Sequence, residues 1–225
     1  MMKVIEEALA RGDKALSEHD SKALLDAYDI PVTHEVVVTS VEDAKAFANK
    51  VGYPVVLKGS STTMTHKTEL NLVELGIKDD AALEKAYAAI SERGGKELDG
   101  ILVQEMIQGS RELVAGLVTD PQFGPTVMFG LGGIYTEVLK DVTFRVAPLS
   151  ETDARNMIEE FRAHKMLDKF RGKPAVDKDL LVKILMNLGR LGLENPEIAE
   201  IDINPFIVCD NKPVAVDALV ILKQK

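Results

Sequence analysis

The last quarter of the chain holds polar residues whose spacing suits chemistry. Residues 198–209 (IAEIDINPFIVC) and 212–220 (KPVAVDALV) read as two strands joined at Asp210-Asn211. Side chains alternate across a strand, which predicts Asp202 and Asn204 on one face of the first and Ala215 and Asp217 on one face of the second. If Asp210-Asn211 form a two-residue turn, opposed residues have numbers adding to 421, a condition that Asn204 and Asp217 meet. A carboxylate beside an amide oxygen, with Asp202 two residues along, is too sparse for a closed calcium cage. It suits magnesium, which completes its octahedron with water and nucleotide phosphates. The same pattern equally describes a polar hairpin side facing solvent.

Other residues offer matching chemistry, each with an ordinary alternative. Lys58 closes the apolar run PVVLKG and is followed by Gly59-Ser60-Ser61; it is either a point charge for a phosphate or a lysine snorkelling from a strand edge. Glu105 and Glu112 flank the link between two apolar strands, ILVQEMI and RELVAGLVT, where acidic groups could accept ribose hydroxyls or assist a metal, or simply be solvated. Gly130, Gly132 and Gly133 of the GLGG run could let backbone approach a phosphate, or form a plain turn. His66 lies in TTMTHKTE, a polar run with no apolar periodicity to draw the ring into a core. A neutral imidazole there is a competent nucleophile towards phosphorus, and the alternative is a surface histidine. No HExxH, paired CxxC, GxSxG, Walker or GxGxxG pattern offers a competing chemistry.

The elements that must carry these residues alternate between helix and strand. Ser17 caps a helix bearing Leu24, Leu25 and Tyr28 that ends before Pro31. Strands follow at 34–39, 54–59 and 72–77. Between them lie a helix opened by Ser40 and closed by Gly52, and then one from Asp80 stopped by Gly94-Gly95. Residues 101–146 are mostly short strands broken by DPQFG and GLGG; Ser150 caps a further helix, and another runs from Asp177 to about Leu193. This predicts an α+β fold: a helical segment over 1–20, one lobe over 21–100 with the His66 run, and a second over 101–225 with the terminal hairpin.

Bulk properties narrow the function. The 27 basic residues stand against 36 acidic ones, so nonspecific nucleic-acid binding by phosphate neutralisation is excluded. No apolar run approaches the length of a membrane span and no basic amphipathic stretch suggests surface attachment. With the lone Cys209 and a charged N-terminal pattern, a cytoplasmic location is expected.

Taken in order, LSEHDSKALLDAYDIPV, YPVVLK, MTHKTE, LVQEMIQGSREL, DPQFGPTVMFGLGGIYTEVLKDVTFRVAPL and EIDINPF make nearly the whole chain resemble the β subunit of ADP-forming acetyl-CoA synthetases. The resemblance implies the ATP-grasp fold, two α+β lobes with a nucleotide between them. It implies a reaction in which acyl-CoA, ADP and phosphate become acid, CoA and ATP through an acyl phosphate and a phosphohistidine, with acetate the typical acid.

It further implies that His66 relays the phosphoryl group, with Asp202 orienting the phosphohistidine as a catalytic residue. Lys58, Glu105, Ile107 and Glu112 are implied as contacts to ATP or ADP, and Asn204 and Asp217 as ligands of Mg2+. The chain carries no CoA-binding Rossmann half and no second histidine motif, which implies a separate α subunit in an α2β2 assembly. Where many relatives follow HKTE with a glycine pair, this chain has Leu70, Asn71 and Leu72. A succinate- or malate-specific ligase subunit and a non-catalytic ATP-binding regulatory subunit are the alternatives.

Overall fold

The structure is a computed structural model that describes residues 2–61, 71–109, 111–132, 141–169 and 172–224. It has the expected α+β composition but divides differently, into one unit of Met1–Val32 with Gln108–Lys225 and a second of Thr33–Ile107. In chain order the first elements are α1 (Lys3–Arg11), ended at Gly12 with a φ of 79°, and α2 (Glu18–Asp26), which opens at Ser17 as expected. The boundaries drawn at 20 and 100 are thereby corrected. Ile5, Ala8, Leu24, Leu25 and Ile30 are buried in the core of the larger unit, and Ala15 and Val32 bridge to Ile221 and Ala215. The N-terminal segment therefore completes the C-terminal unit, a long-range pairing that no local pattern announces.

The smaller unit contains β1 (Glu35–Val38), α3 (Val41–Val51), β2 (Val55–Ser60), β3 (Val73–Ile77), α4 (Asp80–Gly94) and β4 (Gly100–Glu105). Its antiparallel sheet runs β1-β4-β2-β3, so β4 lies between β1 and β2 and cannot belong to the other unit. Ser40 caps α3 through the Asp43 N–H at 3.2 Å, and Asp79 caps α4 through the Ala82 N–H at 2.8 Å. Helix residues Ala44, Ala48, Leu83 and Ile90 pack with Val55, Leu57, Ile101 and Val103 on one sheet face. By alternation Val56, Lys58, Ser60, Leu102 and Gln104 share the other face, and all are buried.

The larger unit adds β5 (Glu112–Asp120), β6 (Gly124–Leu131), β7 (Val142–Val146), α5 (Glu151–Glu160), α6 (Lys178–Glu194), β8 (Ile198–Cys209), β9 (Lys212–Ala215) and β10 (Ala218–Leu222). Its sheet order is β10-β8-β5-β6-β7, with β9 also on β8. Ser150 opens α5 with a reciprocal box, its hydroxyl accepting the Asp153 N–H and Asp153 accepting the Ser150 N–H. Met157, Ile158, Leu185 and Leu188 of these helices join Leu113, Leu117, Ile201, Ile203 and Val220 in one core. The helices cover one sheet face. The opposite face carries the polar positions of β8 and exposed Val118, Phe144, Val146 and Leu219.

Candidate functional site

The terminal hairpin has the expected register. Cys209 opposes Lys212 and Phe206 opposes Ala215, around Asp210 and Asn211, both at positive φ. The same pairing sum of 421 continues beyond a gap, with Ala218 opposite Ile203 and Leu219 opposite Asp202. Asn204 and Asp217 fall within that gap and in register with each other. The ladder lapses there because Pro205 has no N–H to give; its carbonyl still accepts the Val216 N–H at 3.0 Å.

Inward positions change parity at this point on both strands. Ile201 and Ile203 face the core before it on β8, and Phe206 and Val208 after it; on the partner side Ala215 is buried, and then Ala218 and Val220. Unbroken alternation, which groups Ala215 with Asp217, is thereby corrected. Ala215 is core, and Val216 and Asp217 both leave it. Two consecutive residues off the core on each of two facing strands give the polar side chains of Asn204 and Asp217 a place on the open face without breaking the sheet's overall pairing.

Asp202 stands one alternation earlier, half-buried between Leu219 on β10 and Gly116 on β5. Burial raises its carboxyl above the ordinary value of 3.8, and the charges of Glu200 and Asp217 add to the rise. Glu200 is the residue that a motif-based reading misses; extending the alternation from Asp202 by one more step finds it. Glu200, Asp202 and Asp217 therefore gather negative charge along one stretch of the sheet, each of the outer two raising the carboxyl of Asp202. Among the described residues no three His, Cys, Asp or Glu side chains form a complete metal cage. An incomplete protein ligand set is compatible with an ion that takes the rest of its shell from water and nucleotide phosphates.

Glu112 opens β5 on the same unit, exposed and opposite Ile207. The glycines are placed otherwise than a phosphate-cradling turn requires. Gly130 lies inside β6, paired with Val114 and Val142, and a Cβ there would stand 2.4 Å from the Asp141 carbonyl oxygen. Gly132 donates its N–H to the Glu112 carbonyl at 2.8 Å, and its own Cβ would meet the backbone of Glu112 and Leu113 at about the same closeness as 3.0 Å. Both glycines serve close packing of strands, and the N–H of Gly132 is already engaged. Gly133 and His66 lie outside the described residues.

In the smaller unit Lys58 is 6% exposed on the central strand β2, opposite Leu102 and Val73. A lysine buried to this degree needs polar partners, and snorkelling is set aside by its burial. Glu105 ends β4. Its Oε1 accepts the His34 backbone N–H at 2.7 Å and the His34 ring Nδ1 donates to the same oxygen at 2.9 Å. Ile107 is half-buried and is the last residue of this unit. The link after β4 thus joins the two sheets, as the flanking strands imply.

A model of the ATP-grasp domain matches residues 7–222. Fold and charge pattern place the chain in that class of nucleotide-binding proteins. The β subunit of ADP-forming acetate–CoA ligase I from Pyrococcus furiosus is 41% identical over 224 residues, covering 97% of this chain and 96% of the relative. The chain belongs to the family of ADP-forming acetate–CoA ligase β subunits. ADP-forming acetate–CoA ligase I of Archaeoglobus fulgidus is 37% identical over 227 residues, 99% of this chain and 33% of that longer one. Among solved structures, a chain of Ca. Korarchaeum cryptofilum dinucleotide forming acetyl-coenzyme A synthetase 1 is 44% identical with a TM-score of 0.87, the match covering 98% of each chain. That protein was seen with coenzyme A and Mg-AMPPCP, its phosphohistidine segment pointing towards the nucleotide binding site. No helix among the described residues is long and apolar enough to cross a membrane.

Proposed function

We propose that this chain is the nucleotide-binding subunit of an ADP-forming acid–CoA ligase acting on acetate, and that it passes a phosphoryl group between His66 and ADP. The observation that carries the reading is the register of Asn204 with Asp217 beside Asp202, whose carboxyl the neighbouring charges of Glu200 and Asp217 raise. The relatives' names and the Korarchaeum complex with Mg-AMPPCP support it. Asn204 and Asp217 would hold Mg2+, which when bound neutralises phosphate charge during transfer.

The remaining roles belong to the chain's own side chains. Lys58 draws the nucleotide phosphates by its ammonium charge, while Glu105, Ile107 and Glu112 bind the rest of ATP or ADP. Acyl phosphate formed on the partner loses its phosphoryl group to a histidine, giving the free acid. His66 takes the group onto a ring nitrogen, and the terminal oxygen of ADP then attacks phosphorus and breaks that P–N bond. Asp202 orients the phosphohistidine for this transfer. A separate α subunit would supply the CoA and acyl-phosphate sites, in an α2β2 complex. The name of the Pyrococcus relative as a subunit, and the length of the Archaeoglobus one, support that partner.

The test is acid- and CoA-dependent nucleotide turnover by the complex with its native partner. Acetate should yield ADP and phosphate, and His66→Ala should abolish turnover while sparing ATP binding. AMP and pyrophosphate would mean acyl-adenylate chemistry instead, turnover with succinate or malate but not acetate would reassign the acid, and no turnover with any acid would favour a regulatory ATP-binding subunit.

A further inference from the structure

Lys22 on α2 is a charged side chain only 1% exposed, and its ion-pair partner Glu18, one turn earlier at 3.1 Å, is 6% exposed. Its Nζ also donates to the Val216 carbonyl at 2.9 Å. Val216 is the residue between β9 and β10 where inward parity changes, and it immediately precedes Asp217. The neighbouring backbone is held as well: the Ala215 N–H donates to the Pro31 carbonyl at 2.8 Å, and the Val216 N–H to that of Pro205 on β8 at 3.0 Å.

A buried ion pair is a poor way to gain stability, because desolvating both charges offsets most of their attraction and apolar residues of similar volume do as well. What Lys22 supplies that an apolar residue cannot is a directed donor to a carbonyl at a lapse in the ladder. We propose that Lys22 is a positioning residue for the magnesium site: by holding the Val216 carbonyl it fixes the backbone that presents Asp217 to Asn204. Glu18, one turn earlier, pairs with the ammonium and aims it. This rests on the reading of Asn204 and Asp217 as metal ligands.

The test is the magnesium concentration that half-saturates ADP binding to the full chain, followed with a fluorescent ADP analogue. Lys22→Met alone takes from the buried Glu18 its ion-pair partner and is expected to destabilise the chain strongly, so the working variant is Glu18→Leu with Lys22→Met. This should melt near the parent and bind ADP without magnesium as the parent does, while its magnesium midpoint rises about tenfold, the scale of losing a group that orients a ligand. Lys22→Arg, which keeps a donor for Val216, should restore the midpoint to within about twofold. An unchanged midpoint in the double variant, alongside a shifted one in Asp217→Ala, overturns the positioning role and leaves the metal assignment standing. An unchanged midpoint in Asp217→Ala overturns both.

Discussion

Glu105 and His34 are locked together at the end of β4. One carboxylate oxygen accepts both the backbone N–H and the ring N–H of His34, and the Glu105 N–H returns a bond to the His34 carbonyl at 3.0 Å. His34 itself is largely exposed. The arrangement orients one carboxylate oxygen by protein contacts and leaves the other directed by nothing else among the described residues.

This geometry predicts a graded response. Glu105→Ala removes a charge-assisted acceptor worth about 1.5–3 kcal/mol and should weaken ADP binding roughly tenfold or more. His34→Ala keeps the backbone donor and loses only the ring, so it should weaken binding less than Glu105→Ala does. Calorimetric titration of ADP into each variant checks the order. Equal losses would show that the ring, not the carboxylate, makes the contact that matters.

Lys58 gives a second binding prediction, sharpened by its burial. Lys58→Met keeps the apolar stem and removes the charge, which should raise the dissociation constant for ADP about tenfold and that for adenosine by much less. A variant that binds ADP as the parent does, measured in the same titration, would remove Lys58 from the phosphate site.

Much of this was legible in the sequence, and the exceptions share a cause. Ser17, Ser40 and Ser150 mark helix starts because a cap is a local hydrogen bond, and the hairpin register follows from a two-residue turn by counting. Alternation failed at Asp217 because Pro205, one strand away, interrupts the ladder and lets both strands change parity together. The docking of residues 1–32 onto the C-terminal unit was invisible for a related reason: Lys22 and Val216 are 194 residues apart, and neither carries a signal of the other.

Gly130 was misread as loop because a glycine cluster suggests a turn, whereas here the crowding of β7 is what excludes a side chain. Gly130→Ala should therefore act on stability. Overpacking of this kind costs about 1–3 kcal/mol, and each kcal/mol lowers Tm by roughly 2–4 °C in a domain of this size. ADP affinity, measured well below the melting temperature, should stay near the parent's. Weakened ADP binding at unchanged Tm would return the glycine to a phosphate-contacting role.

Asp202 supplies the pH prediction. Its carboxyl titrates above the ordinary 3.8 in the folded chain through burial, with Glu200 and Asp217 adding to the effect. A carboxyl with a raised folded pKa binds its proton more readily folded than unfolded. Its stabilising contribution is complete below about pH 4 and is lost as the pH rises through the folded value. At neutral pH the metal-free protein therefore carries Asp202 as a cost. Asp202→Asn should melt higher than the parent at pH 7 in the presence of a chelator, and the difference should close towards pH 4. Adding magnesium and ADP should reverse the order, because the cation offsets the negative charge of Glu200, Asp202 and Asp217 and the variant has less of that charge to offer. Thermal melts at the two pH values, with and without magnesium and ADP, measure all four quantities. A constant difference across pH would mean that Asp202 acts by shape alone, and turnover lost without any change in these melts would restrict its role to orienting His66.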